Sequence, residues 1–155
     1  KISGNQKRKI RSATRLYIIQ ALFQMEQLGQ SIDQVAEEFI KHRFGAHYDE
    51  GQMSDGDETL FKSILEAAVN YQASIDQLTD RALVEKWPIA RIDPTLRSIF
   101  RSAAAEIVQI KTPPKIVINE YVAITHAFFP DGKEPNFVNA VLDHMAKEAR
   151  PNEFS

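Results

Sequence analysis

The chain has 155 residues, with 19 basic and 21 acidic side chains, a net charge of −2, a pI near 6.1 and no cysteine. That length predicts one domain or two small subdomains with a core able to fold unaided, and the missing cysteines exclude a disulfide framework, thiolate catalysis and cysteine-ligated zinc. No apolar run approaches the roughly 20 residues of a membrane span and no signal-type segment follows the start, so a soluble cytoplasmic protein without membrane attachment is expected.

The charge is segregated. Six of the 19 basic residues precede the first acid, Glu26, and the remainder of the chain carries 13 basic against 21 acidic residues, a charge of −8. Five of the six lie in KRKIRSATR, from Lys7 to Arg15. Such a distribution predicts one basic surface facing a polyanion on an otherwise acidic body.

Helical periodicity continues from this stretch: Leu16, Ile19 and Phe23 form one stripe, with Ile18, Leu22 and Met25 on the adjacent face, and Gly29 ends the helix. Ser31 and Gln34 form a capping box for a second helix striped by Ile32, Val35, Ala36, Phe39 and Ile40, which stops near Gly45. AHYDEGQMSDG, residues 46–56, is polar and turn-rich and is expected to be a mobile loop. Phe61, Ile64, Leu65 and Ala68 mark a third helix, and a second capping box at Ser74 and Gln77 predicts a break and a fresh helix bearing Ile75, Leu78 and Ala82.

Trp87 and Pro88 read as a connection. Asp93 as N-cap and Pro94 at the first helical position then start a helix that buries Leu96, Ile99, Phe100, Ala103 and Ile107. Thr112, Pro113 and Pro114 separate it from a densely apolar helix with Val117, Ile118, Tyr121, Val122 and Phe128. After PDGKEP comes a last helix from about Pro135 to Arg150, striped by Phe137, Val138, Val141, Leu142 and Met145. No segment alternates with period two. The expectation is an all-α fold of about seven helices, residues 1–72 forming a three-helix part and residues 73–150 a four-helix part of one helical domain.

No catalytic, cofactor or metal motif is recognisable, so no cofactor and no enzymatic activity are expected. His42 and His47 beside Asp49 and Glu50 lack the one-face i, i+4 spacing of a helical metal site and read as loop residues. His126 and His144 stand alone on separate helices. The basic start differs, because cations near a helix N-terminus oppose the helix dipole at about 0.3–1 kcal/mol each when exposed. Arg8, Arg11 and Arg15 follow at i, i+3, i+7 and form a ridge flanked by Lys7 and Lys9, a spacing suited to successive phosphates. The competing reading is a solvated basic tail. Tyr17, Trp87 and Phe137 are candidate base-stacking aromatics, Tyr17 and Phe137 equally candidates for the core.

RLYIIQALFQ, LRSIFRSAAAEI, INEYVAITHAF and FVNAVLDHMAKEAR, in this order, resemble the NusB family of transcription antitermination factors over about residues 8–150. The resemblance implies an all-helical fold of two bundles and binding to the boxA element of nascent ribosomal RNA transcripts. It implies a heterodimer with NusE, a small-subunit ribosomal protein, within the RNA polymerase antitermination complex. Carried over by position, the family's arginine-rich start falls on Arg8, Lys9, Arg11 and Arg15, and the RNA-proximal loop and aromatic before and within FVN fall on Lys133 and Phe137. The chain departs from the family pattern at Leu96, where many relatives carry an acid that in some contacts NusE. It departs also at Ala105, at Ala140, and at Ser12 and Ala13 inside the basic run. Two other readings compete. A NusB-like domain fronts ribosomal RNA cytosine methyltransferases, but those continue into a domain with catalytic cysteines, and this chain has none. A helical protein-interaction module or homodimer would use the apolar helix from Lys115 to Phe128.

Overall fold

The computed structural model describes residues 2–49, 51–83 and 91–154, so the connection expected at Trp87 and Pro88 lies outside the described residues. Among the described residues the fold is all-α apart from one small hairpin. It divides into two compact units, residues 1–66 and 67–155.

The first unit opens with α1, Gly4–Leu28, whose start is set by a capping box: Ser3 Oγ accepts from the Gln6 N–H, and the Gln6 side chain accepts from the Ser3 N–H. Gly29 ends it in the left-handed conformation at φ 66°, its N–H donating to Met25 O. The expected box at Ser31 and Gln34 starts α2, Ile32–Glu38, which runs on into a π-helical turn at Phe39–Arg43. Against the expectation of no strand, the loop expected at residues 46–56 carries a short antiparallel pair, β1 His47–Tyr48 against β2 Gly51–Gln52. Flanking bonds Met53 N to Ala46 O (2.8 Å) and Gly45 N to Ser54 O (3.1 Å) extend the pairing. Two-residue strands are too short to display a period of two, and the pairing is held from below by Tyr17, whose hydroxyl donates to Ser54 O at 2.6 Å. The next helix, α3, spans Glu58–Asn70 and crosses into the second unit.

Four aromatic rings form the centre of the first unit. Phe39 stacks on Phe61 with centroids 5.8 Å apart, Phe44 meets Phe61 edge-on at 5.2 Å, and Tyr17 lies 4.8 Å from Phe44. Such pairs contribute about 0.5–1.5 kcal/mol each beyond the area they bury. Ile18, Ile19, Val35, Ile64 and Leu65 complete this core. Phe23, expected in the apolar stripe of α1, is instead 38% exposed. The buried arc of the helix runs through Thr14, Arg15, Tyr17, Ile18, Ile19, Ala21 and Leu22, so Ile18, Ile19 and Leu22 of the predicted stripes are buried and the arc is extended by Tyr17 and Ala21 rather than by Phe23.

In the second unit, α4 (Gln72–Ala82) begins after Tyr71, three residues before the break predicted at Ser74. Ser74 lies within the first turn of α4, and its hydroxyl bonds back to Tyr71 O at 3.3 Å instead of capping Gln77. Asp93 caps α5, Pro94–Ala105, accepting from Thr95 N at 2.7 Å and Leu96 N at 3.3 Å, as predicted. Beyond α5 comes a second π-helical turn, Glu106–Ile110, ended by Lys111 at φ 63°. The antiparallel neighbours α6, Pro114–Phe128, and α7, Glu134–Ala149, follow, and Pro151–Phe154 closes the chain as a 3₁₀ turn. α4, α5, α6 and α7 enclose Ile75, Ile99, Phe100, Ile107, Val117, Tyr121, Val138, Leu142 and Met145, all 1% exposed or less.

An acidic side chain, Glu106, is buried inside this second core. Glu106 accepts from the Tyr121 hydroxyl (2.6 Å) and the Thr112 hydroxyl (2.8 Å), and the Tyr121 oxygen lies 2.6 Å from Ser102 Oγ. A carboxyl group at this depth is tolerated because both its oxygens are hydrogen-bonded. At the periphery Arg101 holds Asp76 through two bonds of 3.0 and 2.8 Å, and Arg81 holds Glu148 at 2.9 and 2.5 Å, tying α4 to α5 and α7. The Arg81 pair holds the Glu148 carboxyl below its ordinary value.

Candidate nucleic-acid interface

The basic start of the chain becomes the exposed first turns of a 25-residue helix with no acid in its first turn. Lys7, Arg8, Lys9 and Arg11 are all solvent-exposed. The Arg8 guanidinium donates to Asn5 Oδ1 one turn earlier. Among the described residues, no side-chain hydrogen bond or ion pair engages Lys7, Lys9 or Arg11. The predicted ridge is therefore shorter than its spacing suggested, because Arg15, its last member, is buried at 5% exposure. The reason is the rotation of α1: Arg15 falls beside Thr14 and Ile18 on the arc that faces the core, while Lys7 and Arg11 precede the point where packing begins.

The capping box at Ser3 and Gln6 and a side-chain link at Thr14 position these cations. The Thr14 hydroxyl donates to Ile10 O at 2.6 Å and accepts from the Asp57 N–H at 2.9 Å, fastening the segment before α3 to α1. Asp57 in turn caps α3, its Oδ1 accepting from Leu60 N at 3.0 Å. None of Ser3, Gln6, Thr14 and Asp57 belongs to the predicted stripes or ridge; the S-x-x-Q signature of Ser3 and Gln6 is legible in the sequence, whereas the long-range Thr14–Asp57 bond carries no local signal.

The two other predicted residues lie in the second unit. Lys133 is exposed at the N-cap of α7, and its carbonyl accepts from the Phe137 N–H at 3.1 Å, so the pair sits one turn apart. Phe137 is 39% exposed and also meets Phe100 edge-on at 5.9 Å. It is thus half core and half surface. Tyr17, a candidate base stacker from the sequence, is core at 2% exposure. Trp87 lies outside the described residues. Leu96, expected to be a departure from the family pattern, is buried at 8% exposure. On α6, Ile116 and Phe128 remain exposed. Among the described residues no group of three or more His, Asp or Glu side chains is placed to hold a metal ion, and no helix is long and apolar enough to cross a membrane.

The architecture is an all-α fold of two helical units bearing an exposed cationic helix start. The chain belongs to the NusB family, whose model it matches over residues 12–147. It is 41% identical to a transcription antitermination protein NusB of Granulibacter bethesdensis, covering 97% of this chain and 96% of that protein. It is 40% identical to the protein of the same name from Caulobacter vibrioides, covering 96% and 99%. Among solved structures it resembles T. maritima NusB, with a TM-score of 0.74, 28% identity and coverage of 93% and 96%. It shares its fold with the antitermination factor in a crystal structure of NusB and NusE in complex with dsRNA, at a TM-score of 0.73, 20% identity and coverage of 90% and 98%.

Proposed function

We propose that this chain is a transcription antitermination factor that binds boxA-type RNA of nascent ribosomal RNA transcripts together with NusE, within the antitermination complex on RNA polymerase. It acts in the cytoplasm as a binding factor, with no reaction of its own. The observation that carries the reading is the run of exposed cations Lys7, Arg8, Lys9 and Arg11 at the open end of α1 in a chain of this family. Phosphate contacts of this kind supply affinity and orientation without sequence information. Lys133 and Phe137 supply a cation and a half-exposed ring, the second a surface on which an unpaired base can stack. Arg15 supports the ridge from within the fold.

Sequence preference is assigned to the composite of this chain with NusE, because one short cationic ridge and one half-exposed aromatic give mainly sequence-tolerant binding. The −8 charge of the chain beyond residue 25 also suits encounter with a basic ribosomal protein. The test is a titration of a boxA-containing RNA and a scrambled RNA with this protein alone and with NusE added. Weak, little-discriminating binding alone and tighter, sequence-dependent binding with NusE is the expected result. Equal discrimination with and without NusE overturns the composite reading.

A further inference from the structure

Beside the cationic ridge lies an open cleft of about 370 Å³ lined by Ile2, Lys7, Ile10, Arg11, Gly56 and Asp57, all within the first unit. Its volume is in the range of small-ligand sites. Three kinds of chemistry converge on it. Lys7 and Arg11 bring two cationic heads that are not engaged in any side-chain bond among the described residues. Ile2, 48% exposed, and Ile10, half-buried, bring apolar surface. Asp57 brings a carboxylate whose Oδ1 caps α3, and no bond to its other oxygen, Oδ2, is found among the described residues. The cleft is also held in place, since the Thr14 hydroxyl joins Ile10 O to the Asp57 N–H across it.

Taken together these groups select a ligand. A simple anion would satisfy the two cations but meet repulsion from Asp57, and an apolar group would leave all three charges bare. A nucleotide unit answers each: phosphate for Lys7 and Arg11, a flat base face for the isoleucines, and a base edge for the carboxylate. An ionised carboxylate only accepts hydrogen bonds, so it favours an edge with an exocyclic amine, as Asp and Glu do with cytosine N4. Uracil presents carbonyl oxygens on either side of its single N3–H and has no amine.

We propose that this cleft is a nucleotide subsite of the RNA interface, taking an unpaired base that carries an exocyclic amino group in preference to uracil. The inference rests on the RNA-binding reading above and adds to it a residue, Asp57, that reads base identity. Single-stranded positions are where such a base can be splayed out of its stack and read on its edge.

The experiment is methyl and amide NMR on the full chain, titrated separately with CMP, AMP, UMP and inorganic phosphate. CMP and AMP should shift the Ile2 and Ile10 methyls and the Asp57 amide, with a Kd about tenfold below that of UMP. Inorganic phosphate should leave the isoleucine methyls unmoved. Asp57→Asn keeps a good cap on α3 and offers both a donor and an acceptor, so UMP should come within about twofold of CMP. Asp57→Ser, which also caps, serves the same comparison should the Asn variant unfold. Equal affinity for CMP and UMP in the unaltered protein, a preference that survives both Asp57 substitutions, or shifts confined to residues away from the cleft would each overturn the subsite. If RNA binding persists while CMP and UMP are equal, the subsite fails and the RNA-binding reading stands; if RNA binding is absent as well, both fail.

Discussion

Arg11 and Arg15 are one helical turn apart and chemically identical, yet the fold gives them different work. Arg11 is exposed on the ridge and Arg15 is 5% exposed against the core. With Lys7, Arg8, Lys9 and Arg11 contributing up to four phosphate contacts to single-stranded RNA, log K should fall against log salt with a slope of up to about −3. Arg11→Gln should flatten that slope by about 0.7 and leave the melting temperature within experimental error. Arg15→Gln should do the reverse, lowering the unfolding free energy by about 1–3 kcal/mol with little change in slope. Fluorescence anisotropy at four salt concentrations and a urea melt separate the two. Gly56 supplies a second single-residue prediction. A Cβ there would sit 2.7 Å from the Phe44 ring, inside the aromatic core, so Gly56→Ala should destabilise the protein by about 1–3 kcal/mol, measurable as a lower urea midpoint with unchanged m-value.

At the scale of elements, the junction of α2 with its π-helical turn is held by side chains that converge from three segments. Glu38 accepts from Gln24 at 2.8 Å and from Arg43 at 3.1 and 2.8 Å, and the Arg43 guanidinium lies 4.7 Å over the Phe39 ring. The Gln24 hydrogen bond, joined by those of Arg43, holds the Glu38 carboxyl below its ordinary value against the opposing effect of burial. A depressed folded-state value means that the carboxylate's contribution to stability is complete above the unfolded glutamate value of about 4.3 and is lost as pH falls through the folded value. Stability measured from pH 7 to pH 3 should therefore fall less steeply below about pH 4.3 in Glu38→Gln than in the unaltered protein. A pH profile identical in both would show that this junction carries no proton-linked stability. The start of α1 is testable in the same way: Ser3→Ala removes the cap on the turn that carries Lys7. It should cost about 0.5–2 kcal/mol of helix stability and appear as faster amide exchange over the first two turns, with protection from Tyr17 onward unchanged.

For the molecule as a whole, stability is concentrated in two cores of different character, one built on stacked aromatics and the other on aliphatic helix faces around a buried Glu106. Phe61, fully buried and touching two other rings, should cost about 3–5 kcal/mol when replaced by Ala. Phe137→Ala, at a ring already 39% exposed, should cost much less, and its larger effect should be on RNA affinity. Much of this organisation is legible in the sequence. Apolar spacing placed the helices, and local chemistry placed several of their ends: Gly29, the Ser31–Gln34 box, and Asp93 with Pro94 all act within a few residues of the bonds they make. The concentration of cations before Glu26 was likewise a property of the sequence itself. What only the tertiary structure decided were choices that depend on residues far apart in the chain. The rotation of α1 buried Arg15 and exposed Phe23, because the core it packs on is assembled from α2 and α3 as well. The pairing of His47–Tyr48 with Gly51–Gln52 is adjoined by a bond from the Tyr17 hydroxyl, more than thirty residues away, to Ser54 O. The cleft at Asp57 formed because Thr14 bridges 43 residues to fasten it beside Lys7 and Arg11. Periodicity and capping are short-range and legible in order along the chain, whereas each of these outcomes is a long-range bond or contact whose partner no local pattern names.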